Sequence, residues 1–123
     1  MKVVYPAVIH CEDGSYWIEF PDLEGCQSFG DSIAEVMENA KEALAGYCIT
    51  LIEQHRKLPG ASDIGKIEHD NSTVLAIIEA NLNDMTKSVK KTLTIPAWLN
   101  SVAESRNINF SETLQKALIE LLQ

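Results

Sequence analysis

Hydrophobic and polar positions alternate along the first thirty residues and then recur at helical spacing. Lys2-Val-Val-Tyr-Pro-Ala-Val-Ile-His-Cys11 is rich in β-branched and aromatic types and predicts a strand, with Pro6 pointing to an edge position or a bulge. Glu12-Asp-Gly-Ser15 has hairpin-turn chemistry, and Tyr16 to Phe20 predicts a second strand with Tyr16, Ile18 and Phe20 on one face. Trp17 falls on the other face. Pro21-Asp-Leu-Glu-Gly25 interrupts the sheet, and Cys26 to Phe29 predicts a short third strand.

From about Ile33 to His55 the period changes. Ile33, Val36, Met37, Ala40, Leu44, Tyr47, Cys48, Leu51 and Ile52 recur at steps of three and four, the apolar stripe of a helix. Ser32 and Glu35 have the spacing of a capping box at its start. Arg56-Lys57 is expected in the last turn, where cations suit the helix dipole, and Leu58-Pro59-Gly60 stops the helix. Residues 60–72 read as a polar loop. Thr73 to Ala80 is apolar enough for a strand lying centrally in a sheet. The N-terminal part is therefore expected to be β-β-β-α-β, a helix packed on one sheet, in an α+β protein.

The carboxyl end is organised differently. In Val89-Lys-Lys-Thr-Leu-Thr-Ile95, Val89, Lys91, Leu93 and Ile95 share one face, and Lys90, Thr92 and Thr94 occupy the other. Pro96 suits the first turn of a helix whose stripe is Trp98, Leu99, Val102 and Ala103, with Trp98 expected in the core that two copies of the module form together. Arg106-Asn-Ile108 closes it. Asn109 is a good N-cap, Glu112 completes a capping-box spacing, and Leu114, Ala117, Leu118, Leu121 and Leu122 form the next stripe. The expected boundaries are a domain at 1–82, a linker at 83–88 and a β-α-α module at 89–123.

Such a module is too small to bury an adequate core alone, and its single strand would have two unpaired edges. Both problems vanish when two copies pair their strands and interlock their helices, so a homodimer is expected, and a tetramer if the sheet domain also pairs. The resulting two-stranded ribbon fits the DNA major groove, with Lys90, Thr92 and Thr94 facing the bases. Asn109 and Ser111, at the start of the last helix, would hold a phosphate. Residues 90–122 resemble the ribbon-helix-helix repressors in this order of elements.

Charge divides at the same place. Residues 1–86 hold five Lys/Arg against fifteen Asp/Glu, a balance of −10, and residues 87–123 hold five against three, a balance of +2. An acidic domain attracts basic partners and repels nucleic acid, whereas the basic tail can approach phosphates. Three cysteines at long spacing, Cys11, Cys26 and Cys48, form no C-x-x-C pair and read as small buried hydrophobes. No apolar run is long enough to cross a bilayer, and a cytoplasmic protein is expected.

Tyr5-Pro-Ala7, the run Asp13-Gly-Ser-Tyr-Trp-Ile-Glu-Phe-Pro-Asp-Leu-Glu-Gly-Cys26, Gly30-Asp-Ser32, Asn39-Ala40 and Leu58-Pro59 together resemble the HicB antitoxins of bacterial toxin–antitoxin pairs, over residues 3 to about 80. The resemblance implies a partial RNase H-like domain without nuclease activity. It also implies a small basic ribonuclease partner of HicA type, whose active site the antitoxin covers, and repression of its own operon through the tail. Glu12, Tyr16, Trp17, Glu19 and Asp22 are the candidate toxin-facing residues, Trp17 because its pleat opposes that of Ile18.

Two alternatives remain open: a repressor acting without a toxin, and a metal-dependent nuclease of RNase H type. The second would need converging carboxylates. Nothing in the spacing of Glu12, Asp13, Glu19 and Asp22 makes them converge. His10, His55 and His69 lack ligand-like spacing, and His10 is expected at a strand end, satisfied or facing solvent. Ser15 and Ser32 are accounted for by turn and cap chemistry. No catalytic residue, metal or cofactor is assigned.

Overall fold

The computed structural model describes residues 1–123, which divide into two compact units, Met1–Lys87 and Ser88–Gln123. The first contains β1 (Lys2–Glu12), β2 (Ser15–Glu19), β3 (Gln27–Gly30), α1 (Ile33–Glu53) and β4 (Thr73–Asn81). One-turn 3-10 helices occupy Ile64–Lys66 and Leu82–Met85. The strands form one antiparallel sheet in the order β3-β2-β1-β4.

Local chemistry accounts for the joints. Asp13 and Gly14 both have positive φ, 51° and 81°, the two-residue hairpin turn that Asp-Gly favours. The bend at Pro21–Gly25 is closed by Leu23 N–H donating to Phe20 O and Cys26 N–H donating to Leu23 O, both at 3.0 Å. That bend drives Leu23 into the core, where it is 1% exposed. Ser32 Oγ accepts from Glu35 N–H at 3.1 Å and caps α1.

α1 lies against one face of the sheet. Val36, Ala40, Leu44, Ala45 and Cys48 meet Val3, Tyr5, Ala7 and Ile9 of β1, Ile18 of β2 and Ile78 and Ala80 of β4, with Phe20, Leu23 and Cys26 filling one end. Gly30 is needed where β3 touches the helix: a Cβ there would lie 2.4 Å from Val36 N.

Several expectations are corrected. β4 is an edge strand, not a central one, because β1 has β2 on its other flank. Its apolar composition leaves Val74 and Ile77 exposed. β1 is an inner strand, but its Lys2–Ala7 half pairs only with β4, so Pro6 lies where one flank is open. α1 ends at Glu53, so Arg56 and Lys57 are outside it. His55 takes the left-handed conformation (φ 58°), and Arg56 N–H donates to Leu51 O at 2.9 Å, a Schellman closure. Ile33 is exposed while Ala45, off the expected stripe, is buried. Cys26 and Cys48 are buried but Cys11 is exposed.

The second unit contains α2 (Ala97–Ser105) and α3 (Phe110–Leu122). α2 closes at Asn107, φ 55°, with Ile108 N–H donating to Ala103 O at 3.1 Å. Asn109 Oδ1 then accepts from Glu112 N–H at 3.0 Å and caps α3. Residues 88–96 have no regular secondary structure and no ladder partner within the chain. Ala103 is the one buried hydrophobic residue in this unit; Trp98 is 68% exposed in the single chain, and Leu118, Leu121 and Leu122 are exposed with it.

Candidate partner-binding surfaces

Each unit leaves apolar side chains exposed. In the first, α1 covers the face of the sheet formed by Val3, Tyr5, Ala7, Ile9 and Ile18. The alternation of a strand puts Val4, Pro6, Val8, His10 and Glu12 on the opposite face. Strand register adds Trp17 opposite His10, Glu19 opposite Val8, and Phe29 opposite Trp17. Phe29 is 65% exposed.

Of the five candidate toxin-facing residues, Glu12, Trp17 and Glu19 share this outer face. Tyr16, one residue out of phase, packs against the core side. Asp22 has another occupation: Oδ2 accepts from Ser62 N–H at 2.9 Å and Oδ1 accepts from the Ser62 hydroxyl, tying the loop after α1 to the bend before β3. Tyr5 OH donates to Pro59 O and ties the same loop from the core side. Burial, followed by the neighbouring Cys48 and Asp22, pushes the Tyr5 hydroxyl above its ordinary pKa.

His10 is neither free nor at the strand's end. Its ring stacks on Trp17 with centroids 3.8 Å apart and planes 7° from parallel. Its Nε2 lies 3.2 Å from Glu19 Oε2. The atom is nonetheless buried without a hydrogen bond. The contact is therefore one of distance without hydrogen-bond alignment. The sequence could not show that His10 and Phe29 flank Trp17, since that depends on the register of three strands.

The acidic residues do not converge. Glu12 and Glu19 sit at opposite ends of the β1–β2 pairing, Asp13 is in the turn, and Asp22 is engaged by Ser62. No group of three or more His, Cys, Asp or Glu side chains is placed to hold a metal ion. Burial pushes the Cys26 and Cys48 thiols up to about 11, and the Cys26 thiol donates to Ala43 O at 3.6 Å. These are protonated packing groups. No helix is long and apolar enough to cross a membrane.

In the second unit, Lys90, Thr92 and Thr94 lie in the exposed segment before α2, and Ser111 is exposed in the first turn of α3. That turn carries free backbone N–H groups, a general property of helix starts that favours anions. Asn109 is committed to the cap. Lys116 is paired with Glu112 at 3.0 Å, whereas Lys90 and Lys91 are in no ion pair.

Known proteins share this arrangement. A toxin–antitoxin complex from Streptococcus pneumoniae contains a chain similar at 27% identity and a TM-score of 0.64, over 98% of this chain and 99% of that one. The antitoxin HicB of Burkholderia pseudomallei is similar at 25% identity and a TM-score of 0.60, again over 98% and 99% of the two chains. An uncharacterized 14.9 kDa protein in the rep-hol intergenic region of Haemophilus phage HP1 is 30% identical over 101 residues, 79% of this chain and 76% of its own length. Residues 5–117 match the model of the HicB_like antitoxin of bacterial toxin–antitoxin systems. With that match reaching across both units and the same fold in solved relatives, the chain belongs to the HicB-like antitoxin family.

Proposed function

We propose that this chain neutralises a small basic HicA-type ribonuclease by covering its active site with the first unit, and represses its own operon through the second. The sheet and helix of the first unit serve as a partial RNase H-like scaffold with no chemistry of its own. The observation that carries the toxin half is family membership across residues 5–117, and the acidic balance of the first unit supports it. Opposite charge speeds association and selects partners, while burial of aromatic and aliphatic side chains supplies most of the affinity.

The operator half rests on the unfinished second unit. Two helices that bury only Ala103, preceded by an unpaired segment with alternating polarity, are half of a structure. Pairing residues 89–95 with the same segment of a second copy completes a ribbon and covers Trp98 and Leu118. Lys90, Thr92 and Thr94 then project from the ribbon into the major groove, and the α3 start at Asn109 and Ser111 meets the phosphate backbone. Pairing of the sheet units as well would give a tetramer.

The test is a pair of assays on one variant. Lys90→Ala with Thr92→Ala should weaken binding to promoter DNA at least tenfold and leave rescue from toxin-induced growth arrest intact. Operator binding by the wild-type chain should also fall steeply with salt. Loss of both activities in the variant would refute the division of labour. A compact, fully folded single subunit at micromolar concentration in the ultracentrifuge would refute the ribbon.

A further inference from the structure

The outer face of the sheet holds a row of three ring side chains, one from each of three adjacent strands. Phe29 on β3 is opposite Trp17 on β2, which is opposite His10 on β1. His10 lies flat on Trp17, so both rings are fixed, and Phe29 extends the row with most of its surface in solvent. Pro6 and Val8 on this face are buried, but Phe29 is not, and a ring left in solvent is unusual on a sheet face that meets only water, where polar residues are the rule.

The charged side chains that β1 and β2 place next to the row are carboxylates. Glu19 contacts His10 from one side, and Glu12 lies on the same face at the hairpin end. Asp70 approaches from the loop before β4, where the Ser72 hydroxyl and N–H hold its carboxyl below the usual range, with His10 among the smaller contributors. Between Lys2 and Lys41 the chain contains no lysine or arginine at all, so β2, β3 and the rest of β1 offer no cation to balance these carboxylates. His10 is the one basic side chain in the row.

We infer that this row is the seat of the toxin, an inference that rests on reading the chain as an antitoxin of a basic ribonuclease. Phe29 and Trp17 are the anchors, desolvated against apolar groups of the partner. Glu12 and Glu19 are the rim, paired with its lysines and arginines. Anchors at the centre and charges at the edge is the distribution that gives both slow dissociation and fast, salt-sensitive encounter. Tyr16 and Asp22 drop out of the toxin-facing set, and Phe29 and His10 enter it.

The experiment measures binding of the full-length chain to a catalytically silenced basic toxin encoded beside it, by interferometry at two salt concentrations. Phe29→Ala removes an exposed ring with no role in the core and should weaken binding at least tenfold, mainly through faster dissociation. Glu12→Lys should slow association several-fold at low salt and much less at high salt. Glu53→Lys, an equal change in net charge at the end of α1, should alter binding less than twofold. Circular dichroism confirms that each variant is folded. Wild-type binding that Phe29→Ala and Glu12→Lys leave unchanged overturns the assignment of this face alone. Failure of the wild-type chain to bind overturns the antitoxin reading, and the assignment with it.

Discussion

Two glycine-to-alanine substitutions should have opposite signs, and the structure says why. A Cβ on Gly30 would lie 2.4 Å from Val36 N, 2.8 Å from Val36 Cα and 2.9 Å from Glu35 C. These are backbone atoms, and ordinary contact begins at about 3.5 Å, so the start of α1 must retreat from β3 by roughly 1 Å. That start is held by the Ser32 cap and by Val36, which is fully buried. Overpacking of this kind costs about 1–3 kcal/mol, and the stiffer unfolded chain returns about 0.4–1 kcal/mol. Gly30→Ala should therefore destabilise by about 1–2 kcal/mol. At Gly46, within α1, a Cβ meets nothing within 4 Å. There Gly46→Ala should stabilise by about 0.5–1 kcal/mol, the helix-propensity difference. Urea denaturation followed by the helical circular dichroism signal measures both. Equal or same-sign changes would show that the approach of β3 to α1 is not as close as described.

Three further outcomes follow from burial and backbone geometry. Leu23→Ala empties a fully buried site under the Pro21–Gly25 bend and should cost about 2–4 kcal/mol by the same denaturation assay. His55→Gly relieves a left-handed residue at the α1 C-terminus and should raise stability by roughly 0.5–1 kcal/mol; a loss would mean that the His55 side chain has a stabilising contact. Because the folded chain keeps Cys26 and Cys48 protonated to about 11 while unfolded thiols ionise near 9, the unfolded state binds fewer protons in between. Stability should thus decline as pH rises from about 9 to 11, and in native protein at pH 8 a thiol reagent should label Cys11 quickly and the other two slowly.

What was legible in the sequence was local. The Asp13-Gly14 turn, the Ser32 cap, the α1 stripe from Val36 to Leu51 and the Asn109 cap all depend on residues within four positions of one another, and each occurs where the pattern put it, with Ile33 and Ala45 the exceptions in the stripe. What failed was long-range. β4 looks like an inner strand from composition, but strand order depends on which neighbours claim the two flanks of β1, and β2 claims one through a two-residue turn. Trp17 could be set opposite Ile18 by alternation within one strand, but that Glu12 shares its face depends on the register of β1 against β2. The partners of Trp17 across the two ladders, His10 and Phe29, could not be read from the sequence at all. Asp22 looked like a free surface acid because Ser62, its partner, is forty residues away in the chain.

The two units stand on different physical footings, and this bears on how the proposed activities would separate. The first builds a core of its own from helix, sheet and the Leu23 plug. The second exposes nearly all its apolar surface. On the proposed pairing, its folding free energy is association free energy, and the folded fraction depends on concentration by mass action. Dilution would then melt the ribbon while the sheet unit stays folded. Operator binding should be lost at concentrations where toxin binding persists, a separation that no single-domain arrangement would produce.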